Sequence, residues 1–314
     1  ETVELTPNTG LAEFDASGIA SLSTITVENG TDAAFSIINL VDNATVDLKA
    51  DNATVTRTFD TAGTTLGLKL SGNTTTTPTI SDAVTLNITG GTATTMDTAA
   101  LVLDDDVTTT LSATGSTTDS ATMSTGAITG TNLLSSITAT TSNTGATVTV
   151  GAITDVDALT SLVANADKGN ITFSGAIGSG GSAEGLTTIT ATADNGATTT
   201  FSNTITADTT DSTTDVATTV TATASTAAST VALGTLTNTY GTVTATSSGP
   251  GTVGATAITA EDINLSPAKT IPELLSFQPG IQKISQFGNH AVRSNIDIRG
   301  FGARGVENTL ILLL

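Results

Sequence analysis

The chain contains no cysteine, no tryptophan, a single histidine and only nine basic residues in 314. Each shortage removes a class of function. Without cysteine there can be no disulfide framework and no thiolate metal site. With His290 as the sole histidine, no two-histidine metal site can form, and a Ser-His-Asp centre would need that one ring held by an orienting carboxylate. Its setting, Gly288-Asn289-His290, is a polar loop and reads as solvated. The few basic residues face 29 acidic ones, a net charge of −20. Such a surface repels phosphate backbones, which excludes nucleic-acid binding and favours divalent cations or basic surfaces. No apolar run approaches the roughly 18–20 residues of a membrane helix, and Leu310–Leu314 is too short to span. Glu1-Thr2-Val3-Glu4 lacks a basic, apolar leader, as expected of an exported chain whose signal peptide has been removed. The expectation is a protein with no enzymatic activity and no resident cofactor.

What is present is also restricted. Charged residues are 12% of the chain, about half the usual share of roughly 25%. Aromatics are 3%, so any core is thin and made of Ala, Val, Ile and Leu. A mean hydropathy of +0.20 nevertheless argues for a folded chain. Thin cores suit stacked or sandwiched sheets.

Composition changes near residue 255. Before residue 260 only Lys49, Arg57, Lys69 and Lys168 are basic, against 24 acids; beyond it five basic residues balance five acidic ones. The change implies separate modules, which are read here as a β-rich region at 1–105, a β-repeat region at 106–250 and a distinct segment at 256–314.

The first two regions alternate with period two. Ile25 and Val27, then Leu66, Leu68 and Leu70, then Val84, Leu86 and Ile88 stand between Thr, Gly, Lys or Asn. That pattern gives each strand one apolar face and one face of β-branched threonine. Gly126-Ala127-Ile128, Gly151-Ala152-Ile153 and Gly175-Ala176-Ile177 then recur every 24–25 residues, with Asn203-Thr204-Ile205 following. One coil of a β-solenoid needs about this length to return to its axial face, so Ile128, Ile153, Ile177 and Ile205 are expected to stack. Tandem β-sandwiches are the alternative, since their strands also recur every 8–12 residues or so. Residues 1–105 repeat less clearly, with only Asp42-Asn43-Ala44-Thr45-Val46 and Asp51-Asn52-Ala53-Thr54-Val55 matching, and read as a cap or a separate sandwich. The fold class is mainly β, with a short α/β C-terminal segment.

Segments such as Gly169–Gly178 and Gly185–Asp194 resemble, in texture, the repeats of filamentous-haemagglutinin-like adhesins and surface-layer proteins. That resemblance implies a structural or adhesive role at a bacterial surface, with self-association or other surface proteins as partners.

The tail carries a sharper signal. Ile258–Ile263, Ile271-Pro272-Glu273-Leu274-Leu275-Ser276, Pro279-Gly280-Ile281-Gln282 and Ile296-Asp297-Ile298-Arg299-Gly300-Phe301-Gly302 resemble the first half of the plug domain of TonB-dependent outer-membrane receptors. Local physics agrees: Ser266 before Pro267 starts a helix whose face carries Ile271, Leu274 and Leu275, and Pro279-Gly280 ends it. A strand is expected over Asn295–Arg299 and another at Leu310–Leu314. The resemblance implies an outer-membrane location, with Ile298, Arg299, Gly300, Phe301 and Gly302 as the plug-like motif and TonB as a partner only in a complete receptor.

Other motifs carry less. Gly300-x-Gly302-x-x-Gly305 spells a dinucleotide fingerprint, but Asn308-Thr309-Leu310 follows where a helix N-terminus is required. Asp104, Asp105 and Asp106 form the densest carboxylate cluster, with Asp155, Asp157, Asp208, Asp211 and Asp215 behind it. Such oxygen ligands suit Ca²⁺ at a turn, but no EF-hand or calcium-repeat motif surrounds them, and solvated acidic turns are the plainer reading. The leading expectation is a non-catalytic surface-layer, scaffold or adhesin protein; the alternative is a component of a TonB-dependent receptor.

Overall fold

The computed structural model describes residues 1–8, 12–29, 34–49, 56–103, 108–129, 133–154, 158–178, 186–206, 219–226, 228–237, 242–247, 252–253, 281–285 and 294–298. The chain divides into two units, Glu1–Thr256 and Ala257–Leu314.

In the first unit the threonine alternation becomes a parallel β-solenoid. An eleven-stranded sheet takes one strand from each successive coil: Thr2–Leu5, Thr24–Val27, Ala44–Leu48, Thr65–Leu70, Thr85–Gly90, Thr110–Thr114, Ser136–Thr141, Ser161–Asp167, Thr188–Asp194, Thr219–Ala224 and Val243–Ser247. A second sheet of six stacks Glu13–Asp15, Phe35–Leu40, Thr56–Thr61, Thr77–Ser81, Ala100–Leu103 and Ala127–Thr129. A third, of seven, begins at Thr95–Asp97 and adds Thr122–Thr125, Thr147–Val150, Asn170–Phe173, Thr198–Phe201, Thr230–Ala232 and Thr252–Val253. All pairings within these three sheets are parallel, which decides for the solenoid over antiparallel sandwiches.

The isoleucines of the repeat stack as expected. Ile128, Ile153, Ile177 and Ile205 are joined in order by parallel bridges, and each is essentially buried. Neighbouring strands lie about 4.8 Å apart in any sheet. The rings of Phe173 and Phe201, partners in register, lie 4.8 Å apart and 6° from coplanar.

Residues 1–105, read from sequence as a cap or separate sandwich, instead supply the first coils of the same rod. The eleven-stranded sheet runs from Thr2 to Ser247 in unbroken strand order. Early coils are shorter, as the register shows: Thr65 pairs with Thr85, whereas Thr110 reaches its partner only at Ser136. The difference is the third strand, introduced at the Asn73–Asp97 bridge and Thr95–Asp97. Coils without it have no Gly-Ala-Ile corner, so the repeat that marks the later coils has no counterpart in the first.

That corner explains its glycines. A Cβ on Gly151 would sit 2.4 Å from the Gly126 carbonyl oxygen, and one on Gly175 would sit 2.3 Å from the Ala152 Cα. Backbone meets backbone there, and only glycine fits.

The core is a set of like-residue columns. Ala113, Ala139, Ala164, Ala191 and Ala222 pair in register, beside Ile137, Leu162, Ile189 and Val220. Small side chains let the opposing sheets approach closely, which is how a 3%-aromatic chain closes its interior.

In the second unit, Ile281–Ser285 pairs antiparallel with Ser294–Ile298. Of the strand expected at Asn295–Arg299, the structure shows Ser294–Ile298, and Arg299 lies outside the described residues. The helix expected near Ser266–Ser276 and the strand at Leu310–Leu314 lie outside the described residues.

Candidate functional site: a hydroxyl face and a plug-like segment

Two features of the chain carry functional information. The first is the outer face of the eleven-stranded sheet. Because side chains alternate along a strand and the coils stack in register, outward positions form straight columns. From the strand Thr110–Thr114 onward, the rows are Thr110, Ser112, Thr114; Ser136, Thr138, Thr140; Ser161, Val163, Asn165; Thr188, Thr190, Thr192; Thr219, Thr221, Thr223; and Thr244, Thr246. All but Val163 and Asn165 bear a hydroxyl, and all are half-buried or exposed. Two bonds run along the columns: the Thr140 hydroxyl donates to Thr114 Oγ1 at 3.2 Å, and Thr192 donates to Asn165 Oδ1 at 3.0 Å. No ionisable residue occupies these rows; Asp167 and Asp194 lie beyond them, at the strand ends. The rows themselves are therefore uncharged in a protein of net charge −20, and Asp167 and Asp194, in the next outward column of the same two strands, mark their edge.

Some of that charge has structural work near the first coils. Asp42 Oδ1 accepts from the Thr65 amide at 2.8 Å, the Thr64 amide at 3.0 Å and the Thr64 hydroxyl at 3.2 Å, so one carboxylate caps the turn of the next coil. The Thr65 amide is the main reason this carboxyl is held below the ordinary range. Asp15 is lowered similarly, first by the Ser17 amide at 2.9 Å and then by Asn39 Nδ2 at 3.0 Å. Asp47, almost wholly buried, accepts from Ser71 Oγ at 2.5 Å and Lys69 Nζ at 3.1 Å, with Lys49 Nζ at 3.6 Å. Arg57 is fully buried and engaged within the chain. Sequence reading missed these residues. The Asp42 repeat flagged its segment, but only the coil above supplies the amides, and nothing in the sequence marks Arg57 as interior.

Most of the expected site residues have no described position. Asp104, Asp105, Asp106, Asp155, Asp157, Asp208, Asp211, Asp215 and His290 lie outside the described residues, as do Arg299, Gly300, Phe301, Gly302 and Gly305. Among the described residues no three carboxylate or imidazole groups converge as a metal site would require, and no helix is long and apolar enough to cross a membrane. Ile298 ends its strand, opposite Ile281.

The second feature is the tail. Residues 247–313 match the family described as TonB-dependent Receptor Plug Domain, which covers every stretch named for that resemblance. The match opens at Ser247, the last residue of the final strand in the eleven-stranded sheet, and includes Thr252–Val253 of the seven-stranded sheet. No curated protein and no solved structure matches the chain. The chain thus joins a parallel β-solenoid to a segment that matches the plug-domain family.

Proposed function

We propose that this is a non-catalytic protein of the bacterial cell surface in which the solenoid is a rigid structural and adhesive module, linked through its tail to the outer-membrane receptor machinery. The observation that carries this reading is the continuity at Ser247, where the last strand of the eleven-stranded sheet ends and the plug match begins. A solenoid is suited to such work, because each coil rests on its neighbour and the whole presents a long, preorganised surface. The acidic charge suits self-association through cations or contact with basic surface partners. Antibody raised against the solenoid should label intact cells, and the native polypeptide should fractionate with the outer membrane. A cytoplasmic polypeptide unlabelled on intact cells would overturn the proposal.

A second reading, a receptor component carrying the solenoid as an added module, rests on the same plug match. It differs in the native polypeptide, which would have to include a membrane barrel, and in dependence on TonB. Intact mass of the natural product separates the two. The proposal includes no catalytic centre and no resident cofactor. A hydrolytic activity abolished by His290→Ala would contradict the first, and a calcium-dependent rise in melting temperature, lost when Asp104, Asp105 and Asp106 become Asn, would contradict the second.

A further inference from the structure

We propose that the outer face of the eleven-stranded sheet, from Thr110 to Thr246, binds ice. The argument starts with repeat distances. Parallel coils stack about 4.8 Å apart, and alternate residues along a strand stand about 6.6 Å apart, so the outward hydroxyls form a two-dimensional mesh on those two spacings. Oxygen rows on a prism face of ice repeat on two spacings of the same order, one close to the coil spacing and the other somewhat longer than the step between alternate residues. The register is uninterrupted: Ser112, Thr138, Val163, Thr190, Thr221 and Thr244 are consecutive partners in one column, and Thr114, Thr140, Asn165, Thr192, Thr223 and Thr246 in the next.

The chemistry of the mesh favours the same ligand. Each threonine presents a hydroxyl that can join a lattice of water and a methyl that leaves neighbouring waters to bond with one another. A charged group would instead orient its own hydration shell and break that order, and no ionisable residue occupies the rows. A soluble ligand would need a concave site with convergent polar groups, whereas a sheet of evenly spaced single hydroxyls makes many equivalent weak contacts with a periodic surface. The β-branched side chains have few rotamers and sit in register on a hydrogen-bonded sheet, so little freedom is lost when the surface meets the lattice. This inference does not depend on the surface role proposed above: a solenoid that ignores ice could still be a surface module, and an ice-binding one need not be displayed on cells.

The full chain is tested by partition into a slowly growing ice front, together with the freezing hysteresis of its solution. The wild type should enter the ice and hold crystal growth below the melting point, whereas a non-binding protein of equal size stays in the liquid. Thr190→Lys places a long charged side chain at the middle of the mesh and should remove most of both effects. Thr79→Lys, on the outward side of the six-stranded sheet, should retain them. Circular dichroism of both variants must match the wild type; should Thr190→Lys misfold, Thr138→Ser with Thr190→Ser, which removes methyls only, should weaken partition while the fold is kept. Exclusion of the wild type from ice, equal loss in Thr79→Lys, or retention by crystalline cellulose in place of ice would each overturn the proposal.

Discussion

Replacing Gly151 with alanine adds one methyl where two coils come closest. The new Cβ would lie 2.4 Å from the Gly126 carbonyl oxygen, 2.5 Å from its carbon and 2.9 Å from the Ala127 nitrogen. All three are main-chain atoms of the coil below, which cannot rotate away as a side chain would. Relief requires the coils to part along the axis, and that stretches the ladder bonds on either side, including Ile128 N to Ala152 O at 2.8 Å and Gly151 N to Thr125 O at 3.1 Å. The cost should reach about 3 kcal/mol, the upper part of the range for overpacked sites. Two further glycines serve as controls. Gly196 has φ of +84° and nothing within 4 Å of its Cβ position, so alanine there meets only the left-handed backbone penalty, about 1 kcal/mol. Gly18 has an ordinary backbone and open space, so alanine there should stabilise by about 0.4–1 kcal/mol through the unfolded chain. Urea denaturation followed by circular dichroism ranks the three, with midpoints compared directly because stacked coils need not unfold in one step. A Gly151→Ala midpoint equal to that of Gly18→Ala would refute the close-packed corner.

Ile153→Asp should bury an unpaired carboxylate between Ile128 and Ile177 and open those coils first, seen as hydrogen exchange accelerated around residues 147–177 before the coils near residue 25. Asp15 and Asp42 are more acidic in the folded chain than when unfolded, so their stabilisation is present above the ordinary carboxylate range and disappears as pH falls through their lowered values. The fall in urea midpoint between neutral and strongly acidic solution should therefore be smaller in Asp42→Asn than in the wild type; an equal fall would contradict the capping role. Asp47→Leu removes a nearly buried carboxylate and leaves Lys69 and Ser71 without their acceptor, at a cost of about 1–3 kcal/mol in thermal or urea unfolding. The hairpin of Ile281–Ser285 and Ser294–Ile298 should exchange its amides faster than the solenoid strands, because a two-stranded ribbon is marginal where an eleven-stranded sheet is not.

The amino-acid sequence already carried the strands, the axial repeat and the tail. Alternation such as Leu66-Gly67-Leu68-Lys69-Leu70 needs only the two-residue period of a strand, a local property of the backbone. The Gly-Ala-Ile repeat named three of the isoleucines that stack and Asn203-Thr204-Ile205 the fourth, because like residues at one coil length must face the same way if the chain coils at all. The plug-like stretches were legible as words, independent of what surrounds them. Other features depend on which coil lies next to which. The early coils escaped notice as repeats because the number of strands in a coil, two before Thr95 and three after, is set by where the sheets stack. The Asp42 cap and the buried Arg57 depend on neighbours a full coil away along the chain. The hydroxyl face likewise exists only in three dimensions: threonines scattered from Thr110 to Thr246 become one mesh because the coil converts a period along the chain into a column across a sheet. Sequence thus determined the period and the local strand. The tertiary structure alone decided the register, and register turns a threonine-rich composition into an ordered surface.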